Sequence, residues 1–212
     1  MIIAVDGPAA SGKGTLAEGL AKHYGLPHLD TGLLYRAVGR AVEAYEDKPE
    51  FEQRAIAAAQ TLDAADIEPE FLVTAKVGNL ASKVAVIGAV RHALFDFQRE
   101  FAEQDGGAVL DGRDIGTKIC PDADVKLFIE ADSKARMERR ARQFEARGQQ
   151  VDRYALYHQI EERDARDMAN PNGGFYQAAD AHLLDTTLLG IEAALRAAVA
   201  IIDEVMERKS KQ

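Results

Sequence analysis

The sequence contains one cysteine, Cys120, no tryptophan and few aromatic residues, at 7%. A single cysteine cannot form an internal disulfide, and Cys/His clusters with metal-ligand spacing are absent too. No window of about eighteen uninterrupted apolar residues could span a membrane. The chain enters a predicted strand without a basic flank, so we expect no secretory signal and predict a soluble cytoplasmic protein. A net charge of −9 argues against a large nucleic-acid-binding surface.

What remains is a chain of 212 residues, 47% hydrophobic, which is long enough for one α/β domain with a substantial core. Five strand-like runs alternate with helical stretches, and several of them end in an acidic residue. This alternation predicts a doubly wound, five-stranded parallel sheet flanked by helices. The predicted strands are residues 2–6, 27–30, 108–111, 125–130 and 182–185.

Two regions are predicted to be insertions into this core, one at about residues 40–91 and a shorter one at about 136–153. The first carries two prolines and two helical segments, and the second carries a cluster of arginines. Insertions at these points are placed to hold an acceptor and to close over a donor. After the second insertion, the last helix is predicted to bury one apolar stripe. The stripe is formed by Ile191, Leu195, Val199, Ile202 and Met206.

A glycine-rich loop, "GPAASGKGT", follows the first predicted strand and precedes a predicted helix. In such a loop the backbone N–H groups and the helix N-terminus converge on phosphate oxygens. Lys13 is placed to reach the β- and γ-phosphates of a bound polyphosphate, and the hydroxyl of Thr15 to help hold Mg²⁺. The alternative is an ordinary glycine turn before a helix. The residues predicted to bind ATP, here called the phosphate loop, are Gly7, Pro8, Ala9, Ala10, Ser11, Gly12, Lys13, Gly14 and Thr15.

Two further segments carry candidate acceptor residues. In "LDTGLLYR", residues 29–36, Thr31 is predicted to cap a helix that presents Arg36 for a two-pronged phosphate contact. In "DGRDIG", residues 111–116, Asp111 is placed to influence Mg²⁺ directly or through water. Arg113 in the same segment is placed to meet a second phosphate, and Asp114 to accept from an amino group. An exposed helix arginine and a solvated turn are the alternatives.

The helix predicted for "HQIEERDARDMAN" supplies a third group of polar side chains. Arg163, Arg166, Asp167 and Asn170 are spaced so that all four share one face. A surface ion pair between Arg163 and Asp167 is the alternative interpretation.

Six segments in order now resemble the bacterial cytidylate kinases, and they cover nearly the whole chain. They are GPAASGKGT, LDTGLLYR, NLASKVAVIGAVR, LDGRDIGT, PDADVKLFIEAD and ERDARD. The phosphate loop, with Gly14 between Lys13 and Thr15, is typical of nucleoside monophosphate kinases in general. The resemblance implies a P-loop kinase core of residues 1–39, 92–135 and 154–212 in a single domain, with 40–91 binding the acceptor and 136–153 as a lid.

The activity implied is transfer of the γ-phosphoryl group of ATP to CMP or dCMP, with Mg²⁺ as cofactor. The implied acceptor residues divide by task. They are Ser82, Arg91 and Asp114 for cytosine, Arg36 and Arg113 for the CMP phosphate, and Arg163 and Asp167 for the ribose region, with Thr31 and Arg166 beside them. Cytosine chemistry agrees in part, because its N4 amino group suits a carboxylate.

No general base is expected, because the CMP phosphate is already an anion near neutral pH. Catalysis of phosphoryl transfer is mainly positioning and charge neutralisation. We therefore predict that Lys13, Arg113 and lid arginines, chosen among Arg136, Arg139 and Arg140, neutralise the transferring group. A solvated arginine-rich helix is the alternative for the last three.

The sequence departs from the family pattern in two places. Asn170 stands where relatives usually carry another arginine, so we expect Arg166 to substitute and Asn170→Arg to be tolerated and to lower KM for CMP. Residues 62–79 are also short and interrupted by proline. These departures keep two other functions open, a P-loop kinase of another small acceptor such as shikimate, and a nucleotide-binding regulator without transferase activity. We expect a monomer that binds no nucleic acid and no membrane.

Overall fold

A computed structural model describes residues 1–63 and 67–211 of the chain. Its five strands form one sheet with the order β2-β3-β1-β4-β5, and every neighbouring pair is parallel. The predicted doubly wound parallel sheet is confirmed, with the second strand starting one residue later and the third ending one residue later than expected. The strands are β1 Ile2–Asp6, β2 His28–Asp30, β3 Ala108–Gly112, β4 Val125–Glu130 and β5 His182–Asp185.

Helices connect the strands and cover both faces of the sheet, as parallel βαβ units require. A short 3₁₀ turn at Glu43–Tyr45 and a π-helical turn at Ile115–Ile119 interrupt the regular elements. No helix among residues 1–63 and 67–211 has both the length and the apolar character needed to cross a membrane. The helices are α1 Lys13–Tyr24, α2 Thr31–Ala41, α3 Phe51–Gln60, α4 Pro69–Leu72, α5 Ala75–Val84, α6 Gly88–Ala102, α7 Ser133–Glu145, α8 Arg153–Met168 and α9 Ile191–Ser210.

One face of the sheet packs against α1 and α9, which bury a single apolar cluster with the central strands. The predicted stripe of α9 is partly wrong, because Ile191 is 68% exposed while Ala194 and Ala198 are buried. Small alanine side chains along this line let α9 approach α1 closely. At the same interface, Leu195 lies against Gly19 of α1.

The region predicted as an insertion at 40–91 folds as a set of helices around Leu34 and Val38 of α2. Gly39 lies directly against the backbone of α5, so α2 and α5 pack closely. Residues 64–66 of this predicted insertion, and of the proline-interrupted stretch 62–79, lie outside the described residues. In the predicted lid, α7 packs on α8 through Met137, Ala141 and partners on the facing helix.

The start of α2 differs from the prediction in one respect. Asp30 caps the helix, because its Oδ1 accepts a hydrogen bond from the N–H of Gly32 at 2.9 Å. Thr31 is already the first helical residue, and its hydroxyl donates to the carbonyl oxygen of Asp111 at 2.8 Å. The predicted Thr31 cap is therefore wrong, and this hydroxyl instead joins α2 to the end of β3.

Candidate active site

A cavity of about 810 Å³ opens at the carboxyl ends of the strands, where doubly wound sheets bind their ligands. Loops and helices from most of the chain line it, including α1, α2, α5, α7 and α8. The charged residues among its lining are Lys13, Asp30, Arg36, Asp111, Arg113, Arg139, Arg140, Arg142, Arg147 and Arg163.

The phosphate loop forms one wall of the cavity and leads directly into α1, which starts at Lys13. Gly7 has a φ of 149°, and a Cβ there would overlap the carbonyl oxygen of Ile129, so only glycine fits. The hydroxyl of Ser11 is fully buried and has no hydrogen-bond partner among the described residues. An unpaired donor within a loop of this kind fits a bound phosphate group.

Positive charge in the cavity exceeds what the neighbouring carboxylates balance. Burial, and then the nearby Arg113 guanidinium, lower the pKa of Lys13 to about 8. The pKa of Arg36 falls to about 10 through burial and then through Arg140, and that of Arg163 falls to about 10 through burial and then through Arg113. Cations that repel one another in a partly dry cavity are favoured by a polyanionic ligand.

Two aspartates, Asp30 and Asp111, line the same cavity as the phosphate loop. Burial and the neighbouring Asp111 raise the pKa of Asp30. Asp111 is buried, and its Oδ1 lies 2.8 Å from Nε2 of His28. A Cβ on Gly14 would lie 3.7 Å from Oδ2 of Asp111, so the second oxygen faces the phosphate loop.

These groups fit a magnesium ion that is held mainly by phosphates and water. Thr15 is exposed in the cavity, and Asp111 lines the same space. No group of three or more His, Cys, Asp or Glu side chains in the described part of the chain could hold a metal by itself. Mg²⁺ commonly takes only one or two protein ligands beside substrate phosphates.

The predicted phosphate- and ribose-binding residues are brought together by α2, α5, α8 and the turn after β3. Arg113 Nε donates to Oδ2 of Asp167 at 3.0 Å, and Ser82 Oγ donates to Oδ1 of the same carboxylate at 2.5 Å. Arg163 Nε is buried without a hydrogen-bond partner among the described residues. Arg36 donates to the carbonyl oxygen of Leu72 at 2.9 Å, which holds it at the cavity wall.

The predicted cytosine-reading residues form two contacts beside the cavity and not in its lining. Arg91 and Asp114 form an ion pair, and Arg91 Cζ lies 5.5 Å from the centre of the Tyr35 ring. Burial raises the pKa of Asp114, while Arg91 opposes that rise. Ser82 is the third member, and its hydroxyl is engaged by Asp167.

Three of the arginines of α7 differ in their surroundings. Arg136 is buried, and all three of its nitrogens are engaged, including Nη1 to the carbonyl oxygen of Ala9 at 3.1 Å and Nη2 to Asp164 at 2.5 Å. It holds the phosphate loop from behind, so the prediction that it is a candidate lid arginine is wrong. Arg139 donates to the carbonyl oxygen of Ser11 at 2.9 Å.

Arg140 differs from both of these, because it faces the cavity with few partners. It donates to the side chain of Gln143 at 3.1 Å and lies 4.6 Å from the centre of the Phe144 ring. Burial, and then the repulsion from Arg163, lower its pKa.

The end of α8 departs from the prediction for Asn170. The helix stops at Met168, so Asn170 does not continue the face of Arg163. Asn170 is only 7% exposed, and its Nδ2 donates to the carbonyl oxygen of Ala85 at 3.0 Å. Arg166 is half-buried and does not line the cavity.

Sequence reasoning missed two residues that shape the site. Thr186, after β5, accepts from Arg139 at 3.1 Å and donates to the carbonyl oxygen of Ser11 at 2.9 Å. The Asp6 carboxylate accepts hydrogen bonds from two backbone N–H groups of the turn after Asp114. The acidic end of β1 was a usable signal for Asp6, but no local pattern marked Thr186.

Comparison with known proteins agrees with this geometry. Residues 3–204 match the family described as Cytidylate kinase. A protein named Cytidylate kinase from Xanthobacter autotrophicus is 55% identical over 203 residues, which cover 96% of this chain and 97% of the relative. A second, from Nitrobacter winogradskyi, is 51% identical over 211 residues and the full length of both.

A solved structure supports the fold alone. A gluconokinase from Sinorhizobium meliloti 1021 has a TM-score of 0.52 at 17% identity, and the match covers 99% of this chain and 95% of that chain. The resemblance drawn from the six sequence segments is confirmed by the family match and by these relatives. The chain belongs to the cytidylate kinase family.

Proposed function

We propose that the protein transfers the γ-phosphoryl group of ATP to CMP or dCMP, giving CDP or dCDP and ADP. The observation that carries this proposal is that the phosphate loop, Arg36 and Arg113 line the same cavity. One loop for a donor polyphosphate and a facing pair of arginines for an acceptor phosphate are what such a transfer needs. Kinases of another small acceptor, and a regulator without transferase activity, gain no support from the family match.

In the proposed reaction an oxygen of the CMP phosphate attacks the γ-phosphorus of ATP. The bond from that phosphorus to the oxygen bridging to the β-phosphate breaks, and ADP leaves with the electron pair. The attacking oxygen is already anionic, so no residue has to remove a proton. Lys13, Arg113 and the lid-region arginines Arg139 and Arg140 supply positive charge around the transferring group.

Arg140 is the better placed of these two lid-region arginines. Its charge faces the cavity, whereas Arg139 is bonded to the backbone of the phosphate loop. Mg²⁺, when bound, supplies further neutralisation of the β- and γ-phosphate oxygens. Thr15 and Asp111 are the residues that would hold it, directly or through water.

The acceptor is proposed to bind across α2, α5, α6 and α8. Arg36 and Arg113 take the phosphate, and Arg163 and Asp167 take the ribose region. The Arg91–Asp114 pair and Ser82 read the base, with the Asp114 carboxylate accepting from the cytosine N4 amino group. Only the sequence resemblance supports acceptor-binding roles for Thr31 and Arg166. The Thr31 hydroxyl donates to the backbone carbonyl oxygen of Asp111, and Arg166 does not line the cavity.

The proposal also covers the location, the oligomeric state and the domain organisation of the protein. The protein is a cytoplasmic monomer that binds no nucleic acid and no membrane. Residues 1–39, 92–135 and 154–212 form the core, residues 40–91 carry the acceptor site, and residues 136–153 close over the donor as a lid.

A coupled assay of ADP release, run with CMP, dCMP, UMP, AMP and shikimate, tests the proposed function. We expect CMP and dCMP to give the highest kcat/KM by at least tenfold. A higher kcat/KM with AMP or shikimate would replace the acceptor assignment, and ADP release that ignores every acceptor would reject transfer altogether.

A further inference from the structure

The segment that follows α8 lies against the ion pair proposed to read the base. This segment, residues 170–174 or "NPNGG", is here called the 170–174 loop. A Cβ placed on Gly173 would lie 2.5 Å from Cζ of Arg91, and closer still to Nη2 of Arg91 and Oδ2 of Asp114. Those distances are shorter than real carbon contacts allow, so the loop backbone touches both members of the pair at once.

Side-chain amides anchor the loop to the turn between α5 and α6. Nδ2 of Asn170 donates to the carbonyl oxygen of Ala85 at 3.0 Å, and Nδ2 of Asn172 donates to that of Val86 at 2.8 Å. Oδ1 of Asn170 also accepts from the backbone N–H of Asn172 at 2.9 Å, which fixes the loop on itself. The turn that receives these bonds leads directly into α6, which carries Arg91.

The pair is therefore confined from more than one direction. The Arg91 side chain is 12% exposed and the Asp114 side chain 7%. The ring of Tyr35 contacts Arg91, and the backbone of Gly173 covers the bond between the two charges. A buried ion pair with a fixed geometry discriminates strongly among ligands, because a wrong partner leaves polar groups unpaired.

We propose that the 170–174 loop is a specificity-determining element. Gly173 holds the Arg91–Asp114 pair in the orientation that accepts the cytosine amino group, and Asn170 and Asn172 hold Gly173 in place. Asn170 thus serves the base-binding end of the site and not a phosphate. This inference rests on the proposed acceptor, CMP.

Substitution Gly173→Ala tests the close approach. Its methyl group forces the pair to move, so we expect the ratio of kcat/KM for CMP to that for UMP to fall at least tenfold. The rate at saturating CMP should fall less than this ratio. Substitution Gly88→Ala is the matched control, because a Cβ there would meet Asn172 at an ordinary 3.7 Å. A ratio within twofold of wild type in Gly173→Ala would overturn the proposal.

A second arm separates specificity from general damage. In an Asp114→Ala background the pair no longer exists, so Gly173→Ala should change the CMP/UMP ratio by less than twofold. An equal fall in both backgrounds would show that the loop acts elsewhere, and would overturn the proposal. If Gly173→Ala does not fold, Asn172→Ala removes one anchor only, and a fall of at least threefold in the ratio is expected. An unchanged ratio in Asn172→Ala would then overturn it.

The wild-type enzyme is measured in the same series. Failure of wild type to prefer CMP would contradict the proposed function itself. Preference for CMP by wild type, together with an unchanged ratio in Gly173→Ala, would leave that function standing and remove only the role of the loop.

Discussion

The carboxylate of Asp6 accepts a hydrogen bond from the backbone N–H of Gly116 at 2.7 Å. Its other oxygen accepts from the N–H of Ile115 at 2.8 Å. Asp6 ends β1 immediately before the phosphate loop, and Ile115 follows Asp114. One buried side chain therefore ties the donor side of the site to the acceptor side.

Asp6 should give the protein a pH-dependent stability. Burial raises its pKa from 3.8 to about 7, although the two backbone donors act to lower it. The folded state then binds the proton more tightly than the unfolded state does. The stabilisation is complete below pH 3.8 and is lost as the pH rises through about 7. We expect the stability difference between wild type and Asp6→Asn to fall by on the order of 1–2 kcal/mol from pH 5.5 to 8.

Urea unfolding of both proteins across that range measures this difference. Asp105→Asn, at an exposed position, is the control and should keep the wild-type profile. A stability difference that does not change with pH would contradict the assignment to Asp6.

Lys13→Ala should lower turnover by at least about a hundredfold, the scale expected for one charge contact in the transition state. The unfolding midpoint should not fall, because burial and the repulsion from Arg113 outweigh the attraction of Asp111 and Asp30 for the Lys13 charge. Steady-state kinetics and thermal unfolding measure the two effects. Lys22→Ala, an exposed position on the same helix, should behave as wild type. Near-normal turnover in Lys13→Ala would remove the phosphate loop from the mechanism.

Asp114→Ala should weaken discrimination of CMP from UMP, because the amino group of cytosine loses its acceptor. A hydrogen bond to a charged group suggests an effect of roughly 1.5–3 kcal/mol on the ratio of the two kcat/KM values. The control is Asp96→Ala, at an exposed position of α6. An unchanged ratio rejects this role for Asp114 even if overall activity declines.

Asn170→Arg should destabilise the protein, in contrast to the expectation from sequence. The position is buried, and the substitution removes the bond to Ala85 and the one to the backbone of Asn172. Losing those partners and burying a charge should cost at least about 1–3 kcal/mol. Urea unfolding measures the loss, and Gln53→Arg, which adds the same charge at an exposed position of α3, is the control. Wild-type stability with a lower KM for CMP would restore the original expectation.

The features that the sequence predicted correctly depend on local patterns. The strand β1 was predicted from four apolar residues that end in Asp6, and the phosphate loop from glycines at fixed spacing. Both patterns lie within residues 2–15. The family resemblance also named Ser82, Arg113 and Asp167, and in the structure Ser82 and Arg113 both donate to the Asp167 carboxylate.

The features that sequence reasoning missed depend on partners distant in the chain. Arg136 was predicted to be a candidate lid arginine. The sequence near it does not indicate its ion pair with Asp164 or its hydrogen bond to the carbonyl oxygen of Ala9. Asn170 was predicted to be helical from its spacing to Arg163. Its hydrogen bond to the carbonyl oxygen of Ala85 could not be predicted, because Ala85 lies 85 residues earlier in the chain. At the start of α2, Asp30 and Thr31 are both good caps, and backbone geometry at the end of β2 decided between them.

Transfer of a labelled phosphoryl group tests the central claim most directly. The full chain is incubated with Mg²⁺, CMP and ATP labelled at the γ-phosphate, and the products are separated. The expected result is label in CDP in equal amount to the ADP formed, with labelled CDP forming at least about a hundredfold more slowly in Lys13→Ala. Label released as inorganic phosphate at a rate independent of CMP, or label that never leaves ATP, would contradict the claim.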